Sequence, residues 1–458
     1  METEWSNRLR KLLIALCFCL WPISAIAQRP QVGGQQLVFT HVTVISATGA
    51  PAQPDMTVVL AGARIAAIGT SKSVSIPKRA RVVDAKGKFL IPGLWDMHAH
   101  IGGEDGDDDN KEKAYLSLWL ANGVTGIRIM DGLPAHHRWR KQMEEGSLLA
   151  PRMVIASRII GGEMSAAEAR QLVRKAKQEG ADFVKVHDGV PRDAYFALVD
   201  EAGKSGLAVE GHVPESITVA EASVAGQKSI EHLTGVAKAA PDDKQAQALF
   251  ALFRINGTGQ CPTLVMRHSY TVLDDPGLAS DRRLKYVEPS RRKSWLDMQN
   301  ETKSFPPDEL PDRRETVRNE MRLVGEMQRA GVEILAGTDA VSSAAYVLPG
   351  FSLHQELAML VQAGLTPMEA LQAATRNPAG FLERARQPGY GGRREACRPR
   401  AARRRSPSRH RQHAAHQRNR NKRSSHRPQS ARPNACRCGN RNESLEFFAT
   451  FAEVVRAF

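Results

Sequence analysis

Six residues of this sequence have types and spacings that could hold metal ions and hydrolyse a bond. The stretch "WDMHAH" places His98 and His100 two apart, and alternation along a strand sends both imidazoles to one side, toward one ion. Lys185 sits in "FVKVHDG", His212 in "VEGHV", His232 in "SIEHL" and Asp339 in "AGTDA". Four histidines with a carboxylate suit zinc or another borderline divalent cation, which would activate water and polarise a carbonyl. Taken singly, each residue has an ordinary explanation. A lone buried histidine is usually a hydrogen-bonded core residue, Lys185 reads as a surface lysine, and Asp339 as a cap on the following helix. Their shared position at the ends of five apolar runs is what singles them out.

Those runs come from a regular alternation. From Gly93 onward, strand-like stretches ("GVTGIRIM", "RMVIASRII", "DFVKVHD", "LAVEGHV", "KSIEHLT", "GQCPTLV", "GVEILAGTDA") are separated by amphipathic segments such as "SAAEARQLVRKAKQEG". With "GLWDMHAH" as the first strand there are eight βα units, which predicts an α/β protein, a (β/α)8 TIM barrel over residues 92–382. A doubly wound open sheet is the alternative topology. In a barrel the chemistry lies at the C-terminal ends of the strands, where all six candidates fall. The intervals from Lys185 to His212 and from His212 to His232 each approximate one βα unit. Ahead of the barrel, "QLVFTHVTVIS", "MTVVLAG", "RIAAIG" and "RVVDAKGKFLIPG" predict a small β domain over residues 36–91.

Together with "FLIPGLWDMHAH", "GVTGIRIMDG", "VEGHVPES", "SIEHLTG" and "GFSLHQELAMLVQAGLTPMEALQAATRNPAGFL", these stretches resemble the amidohydrolase superfamily, in the branch of imidazolonepropionase-like and prolidase-like enzymes. The resemblance runs from about Gln36 to Leu382. It implies two divalent metal ions, zinc being the expected one. His98, His100 and Asp339 would hold the first, His212 and His232 the second, with Lys185 bridging them as a carboxylated lysine. Carboxylation makes chemical sense, because an ammonium has no lone pair whereas a carbamate offers an oxygen to each ion. The implied reaction is hydrolysis of a non-peptide or dipeptide-type C–N amide bond in a small molecule by a metal-activated hydroxide. Asp339 would act as catalytic residue, taking a proton from the nucleophile and passing it to the leaving nitrogen. A mononuclear deaminase is the alternative within enzymes, and Lys185 argues against it. Arg128, His187, His268 and Tyr270 are read as packing or solvent-facing and stay outside the ligand set.

The resemblance stops near Leu382, where a basic run begins. The chain has 458 residues and a formal charge of +15, yet Lys and Arg outnumber Asp and Glu by 18 to 4 between Pro388 and Phe458, so the rest is nearly neutral. Members of the family finish with strands that complete the small β-sandwich. The small domain is therefore expected to be built mainly from the N-terminal segment, without those strands. Shifted by one base, the codons from Pro388 to His410 permit a turn followed by an apolar strand, so residues 388–458 are read as an out-of-frame tail rather than a nucleic-acid-binding arm. Two other readings stand beside the enzyme: an unstable product of a disrupted gene, and a basic polyanion-binding protein.

At the other end, Arg8, Arg10 and Lys11 precede an apolar run from Leu12 to Ile23 and a small-residue site at Ala27. This pattern predicts a signal peptide over residues 1–27, a mature start near Gln28, and a periplasmic or secreted location. The run is shorter than the roughly 20 residues a membrane span needs, so no stable span is expected after the signal is removed. Of six cysteines only Cys261 lies in the barrel region, which excludes a disulfide-dependent fold.

Overall fold

The computed structural model describes residues 35–102 and 109–385. The signal-peptide segment, most of the acidic "GGEDGDDDN" loop and the basic tail lie outside the described residues. Two compact units divide between Pro92 and Gly93.

The first unit is a five-stranded sheet. Strands β1 (Leu37–Val44), β2 (Gln53–Ala61), β3 (Arg64–Thr70) and β4 (Arg81–Asp84) lie in the order β3-β2-β1-β4, and the short β5 (Phe89–Leu90) pairs with the far end of β1. Strand β1 alternates buried and less buried residues, the period-2 signature legible in "LVFTHVTV". A two-residue turn at Gly62-Ala63 joins β2 to β3, and Gly62 adopts φ 58, which an L side chain resists. Val42, Val44, Met56, Val58 and Ala85 form the core of this unit.

The second unit is the barrel. Strands β6 (Leu94–Ala99), β7 (Val124–Ile129) and β8 (Arg152–Ile155) form one parallel sheet, and β9 (Phe183–Val186), β10 (Ala208–Gly211), β11 (Ser229–Glu231) and β12 (Gly259–Cys261) form another. The two are continuous through the backbone: Ser157 N donates to Phe183 O at 2.8 Å, and Ile160 N to Lys185 O at 2.9 Å. Strands β9 and β10 are buried at every residue, as expected where helices cover a sheet whose other face fills the barrel. The intervening helices begin and end where the sequence signals them. Ser165 and Thr218 close capping boxes with Glu168 and Glu221, and Gly206 and Gly257 end helices at φ 67 and 66.

The eighth position departs from a regular strand. Residues 332–340 close the ring through isolated parallel bridges, Gln260 with Ile334 and Ala99 with Ala340. Between those bridges the amides of Thr338 and Asp339 both donate to His98 O, at 3.2 and 2.7 Å. Two successive amides cannot share one acceptor in an extended ladder, so the chain turns, and Asp339 takes φ 59.

Candidate active site

All six candidate residues lie where β6, β9, β10, β11 and the eighth segment end. His98 is within β6 and fully buried, and His100 follows one residue past its end. Their Nε2 atoms approach the same oxygen, Asp339 Oδ1, at 3.2 and 3.0 Å. Both imidazoles therefore turn to one side, as alternation requires. His232 follows β11 in the left-handed region at φ 57, which swings its ring inward. The four rings form a continuous chain: His100 to His98 at 5.5 Å between centroids, His98 to His232 at 4.5 Å, and His232 to His212 at 5.0 Å.

Two glycines make room for this convergence. A Cβ on Gly337 would stand 2.5 Å from Cys261 Sγ and 2.8 Å from His98 Cβ. Gly211, immediately before His212, has φ 131, and a Cβ there would meet Val186 O at 2.1 Å. Only glycine lets these backbones pass so close to their neighbours.

The candidate histidines are also held from behind. Glu231 Oε2 accepts from His98 Nδ1 at 2.7 Å, Asp188 Oδ1 from His212 Nδ1 at 2.8 Å, and Thr263 Oγ1 lies 2.6 Å from His232 Nδ1. The Thr263 hydroxyl donates to Pro262 O at 2.8 Å, so its oxygen is free to accept from His232. Thr263 precedes the helix Leu264–Ser269, whose Val265 amide donates to the buried Glu356 Oε2 at 2.7 Å. None of Glu231, Asp188, Thr263 and Glu356 stands out in the sequence as a site residue. The available signal was adjacency, since Glu231 precedes His232 in "IEH" and Asp188 follows His187 in "VHD".

The electrostatics follow from burial and mutual proximity. Burial, reinforced by the Lys185 charge, drives the His212 pKa down to about 2. Burial and the neighbouring His98 push His232 well below its usual range. Asp339 loses solvent, but the facing His98 and His100 outweigh that and hold its carboxyl well below the ordinary range. Lys185, 1% exposed, is pulled down by burial, with Glu231 and Asp339 opposing. The site thus combines two imidazoles whose charged forms are disfavoured, His212 and His232, with an ionised carboxylate and a desolvated lysine.

A metal ion fits this donor set. Ligand atoms of His98, His232 and Asp339 lie within 4.8 Å of one another, and His98 Nε2 is buried without a hydrogen bond. His187, Asp188 and His212 make a second such group, more exposed, with the His187 and His212 rings 3.9 Å apart. His187 is accordingly half-buried and lies against the His212 ring rather than packing in the core. Arg128 is the opposite: it is fully buried and paired with Glu210 and Glu231. His268 lies in the helix Leu264–Ser269, and Tyr270 packs on an apolar cluster with Trp295 and Leu348.

The sequence profile of the Amidohydrolase family matches residues 89–390. This chain belongs to the amidohydrolase family. An ochratoxinase from Aspergillus niger is 24% identical over 354 residues, covering 63% of this chain and 64% of that relative, slightly less than two thirds of its length. Among solved structures, a bottromycin amidohydrolase superposes with a TM-score of 0.61 at 26% identity, covering 76% of this chain and 78% of the other. A putative prolidase from Bifidobacterium longum gives 0.58 at 23% identity, over 76% and 84%, a likeness of fold. The protein accordingly has the α/β fold of TIM-barrel type that this amidohydrolase adopts. Among the described residues no helix is long and apolar enough to cross a membrane.

Proposed function

We propose that this amidohydrolase is a metal-dependent enzyme that hydrolyses a C–N amide bond in a small-molecule or dipeptide-like substrate. The observation that carries the reading is the meeting of His98, His232 and Asp339 ligand atoms within 4.8 Å at the strand ends, with the buried His98 Nε2 left without a hydrogen bond. An ion would satisfy that atom, which among the described residues makes no hydrogen bond, Asp339 Oδ1 standing 3.2 Å away. The fold and the family agree with this reading.

In the full assignment, His98, His100 and Asp339 hold one divalent ion and His212 and His232 a second, with zinc the metal that best suits imidazole and carboxylate. Lys185 completes the pair as a carbamate. Burial favours its uncharged amine, the form that adds to carbon dioxide, and the proton is released to solvent. When bound, the ions supply Lewis acidity toward the attacking water and the substrate carbonyl. The remaining work falls to the protein. Asp339 is ionised and sits beside His98 and His100, so its carboxylate receives the proton of the attacking water and delivers it to the departing nitrogen. His187 and Asp188, both partly exposed at the end of β9, face arriving substrate.

The same proposal includes export by residues 1–27, a small β-sandwich domain built mainly from the N-terminal segment and lacking its usual C-terminal strands, and an out-of-frame origin for residues 388–458. The test is to measure the divalent ion content of the purified full chain and its hydrolysis of N-acyl amino acids and dipeptides, before and after chelation. Chelator-sensitive cleavage with bound metal is the expected result. A folded protein that binds no divalent ion and cleaves none of these overturns the proposal.

A further inference from the structure

Beneath His98 lies a buried ionic cluster that the reaction itself does not use. Arg128, at 0% exposure in β7, donates from Nη2 to both oxygens of Glu231, at 2.9 and 3.0 Å. Its Nη1 bonds Glu210 Oε2 at 2.5 Å and Ser229 Oγ at 3.0 Å, and its Nε bonds the carbonyl of Met97, the residue before His98, at 2.5 Å. The Ser229 hydroxyl donates to Glu231 Oε1. The guanidinium carbon lies 5.8 Å from the Phe183 ring centroid and 5.4 Å from that of Phe381. Both arms of the fork and Nε are thus committed, and the aromatic contacts limit the group's movement.

From this geometry we infer that Glu231 is a positioning residue for His98, fixing its tautomer and ring orientation, and that Arg128 holds Glu231 in place to do so. This rests on His98 being a metal ligand, as proposed above. A carboxylate accepts, so the hydrogen at 2.7 Å sits on His98 Nδ1, and in the neutral imidazole that binds a metal the lone pair is then on Nε2, the nitrogen on the Asp339 side. Glu231 in turn cannot rotate away, because Arg128 grips both of its oxygens and Ser229 adds a donor to one. An outer carboxylate of this kind orients a ligating imidazole and raises its basicity. Glu210 provides an internal control. It is buried and bound to the same guanidinium, but among the described residues it makes no hydrogen bond to a site histidine.

The test compares Co2+ affinity, by competition with a chelating dye, in the full-length wild type, Glu231→Gln and Glu210→Gln. The glutamine at 231 no longer dictates which His98 nitrogen is protonated, and affinity should fall by about 10- to 100-fold. Glu210→Gln keeps an oxygen for Arg128 Nη1 and leaves the Nη2 grip on Glu231 in place, so it should lower thermal stability yet keep affinity within about twofold. Unchanged affinity in Glu231→Gln overturns the inference, and so does an equal fall in both variants, which would make the cluster merely structural. If Glu231→Gln does not fold, Glu231→Asp carries the same comparison, since it keeps a charge for Arg128 while retreating from His98 by one methylene. A wild type that binds no Co2+ overturns the functional proposal and this inference together, so the two failures are distinguishable.

Discussion

Thr338 and Asp96, 242 positions apart, are joined by two hydrogen bonds: the Thr338 amide donates to Oδ1 at 3.0 Å and its hydroxyl to Oδ2 at 2.7 Å. Asp96 also accepts from the Trp119 indole at 3.1 Å, and burial pushes its pKa up to about 6. The pair clamps the eighth barrel segment to β6, one residue from Asp339 on one side and two from His98 on the other. Thr338→Val keeps the volume but removes the hydroxyl, which also accepts from the Ala340 amide at 3.1 Å. Each buried group left unpaired costs about 1–3 kcal/mol. Denaturant unfolding should show a loss of that order, accompanied by weaker metal binding; unchanged stability would mean that the clamp contributes nothing.

Asp339→Asn tests the proton transfer. Asparagine can still place an oxygen near His98 and His100, but it cannot accept the proton of the attacking water. Turnover on whichever amide the enzyme cleaves should fall by about 10²- to 10⁴-fold, the usual contribution of a positioned acid–base group. Metal content should fall far less, and comparing kcat with bound metal separates the two effects.

How far the sequence revealed the site depended on which contacts were local. His98, His100, Lys185, His212, His232 and Asp339 stand out because strand ends recur once per βα unit, a period visible along the chain. The small domain's strands were equally legible, β1 through its two-residue alternation. The outer partners were not. Glu231 lies 133 residues from His98, and nothing in "SIEHL" tells which imidazole its carboxylate meets. Arg128 looks in sequence like any polar residue in a strand, and only the closed barrel shows it facing inward between two carboxylates. The eighth segment reads as an ordinary strand in "GVEILAGTDA", because its turn at Asp339 is imposed by His98 O, a tertiary contact.

Lys185→Ala tests the bridge. Lys185 lies in β9 in register with Glu210 of β10, in a strand buried at every residue. Alanine removes any carbamate and a desolvated amine together. Bound metal should drop from about two equivalents to about one or fewer, and turnover by at least about 100-fold, a loss of about 2.7 kcal/mol in transition-state stabilisation. Full activity with two ions in this variant would refute the bridging role.

Glu356 makes a prediction about pH that is independent of any metal. It is fully buried, its Oε1 makes no hydrogen bond among the described residues, and burial pushes its pKa up to about 8 from an ordinary 4.5. Between those two values the folded protein keeps a proton that the unfolded chain has already released. The folded state then binds more protons than the unfolded one, so this group's contribution to stability is largest below about pH 4.5 and falls as pH rises toward 8. The slope it contributes is at most about 1.4 kcal/mol per pH unit. Glu356→Gln retains an oxygen for the Val265 amide and cannot ionise. Urea unfolding from pH 4 to 9 should therefore show the variant losing less stability than the wild type as pH rises, with the two curves running parallel only below about pH 4.5. Parallel curves would mean that Glu356 ionises normally and that water reaches its unpaired oxygen.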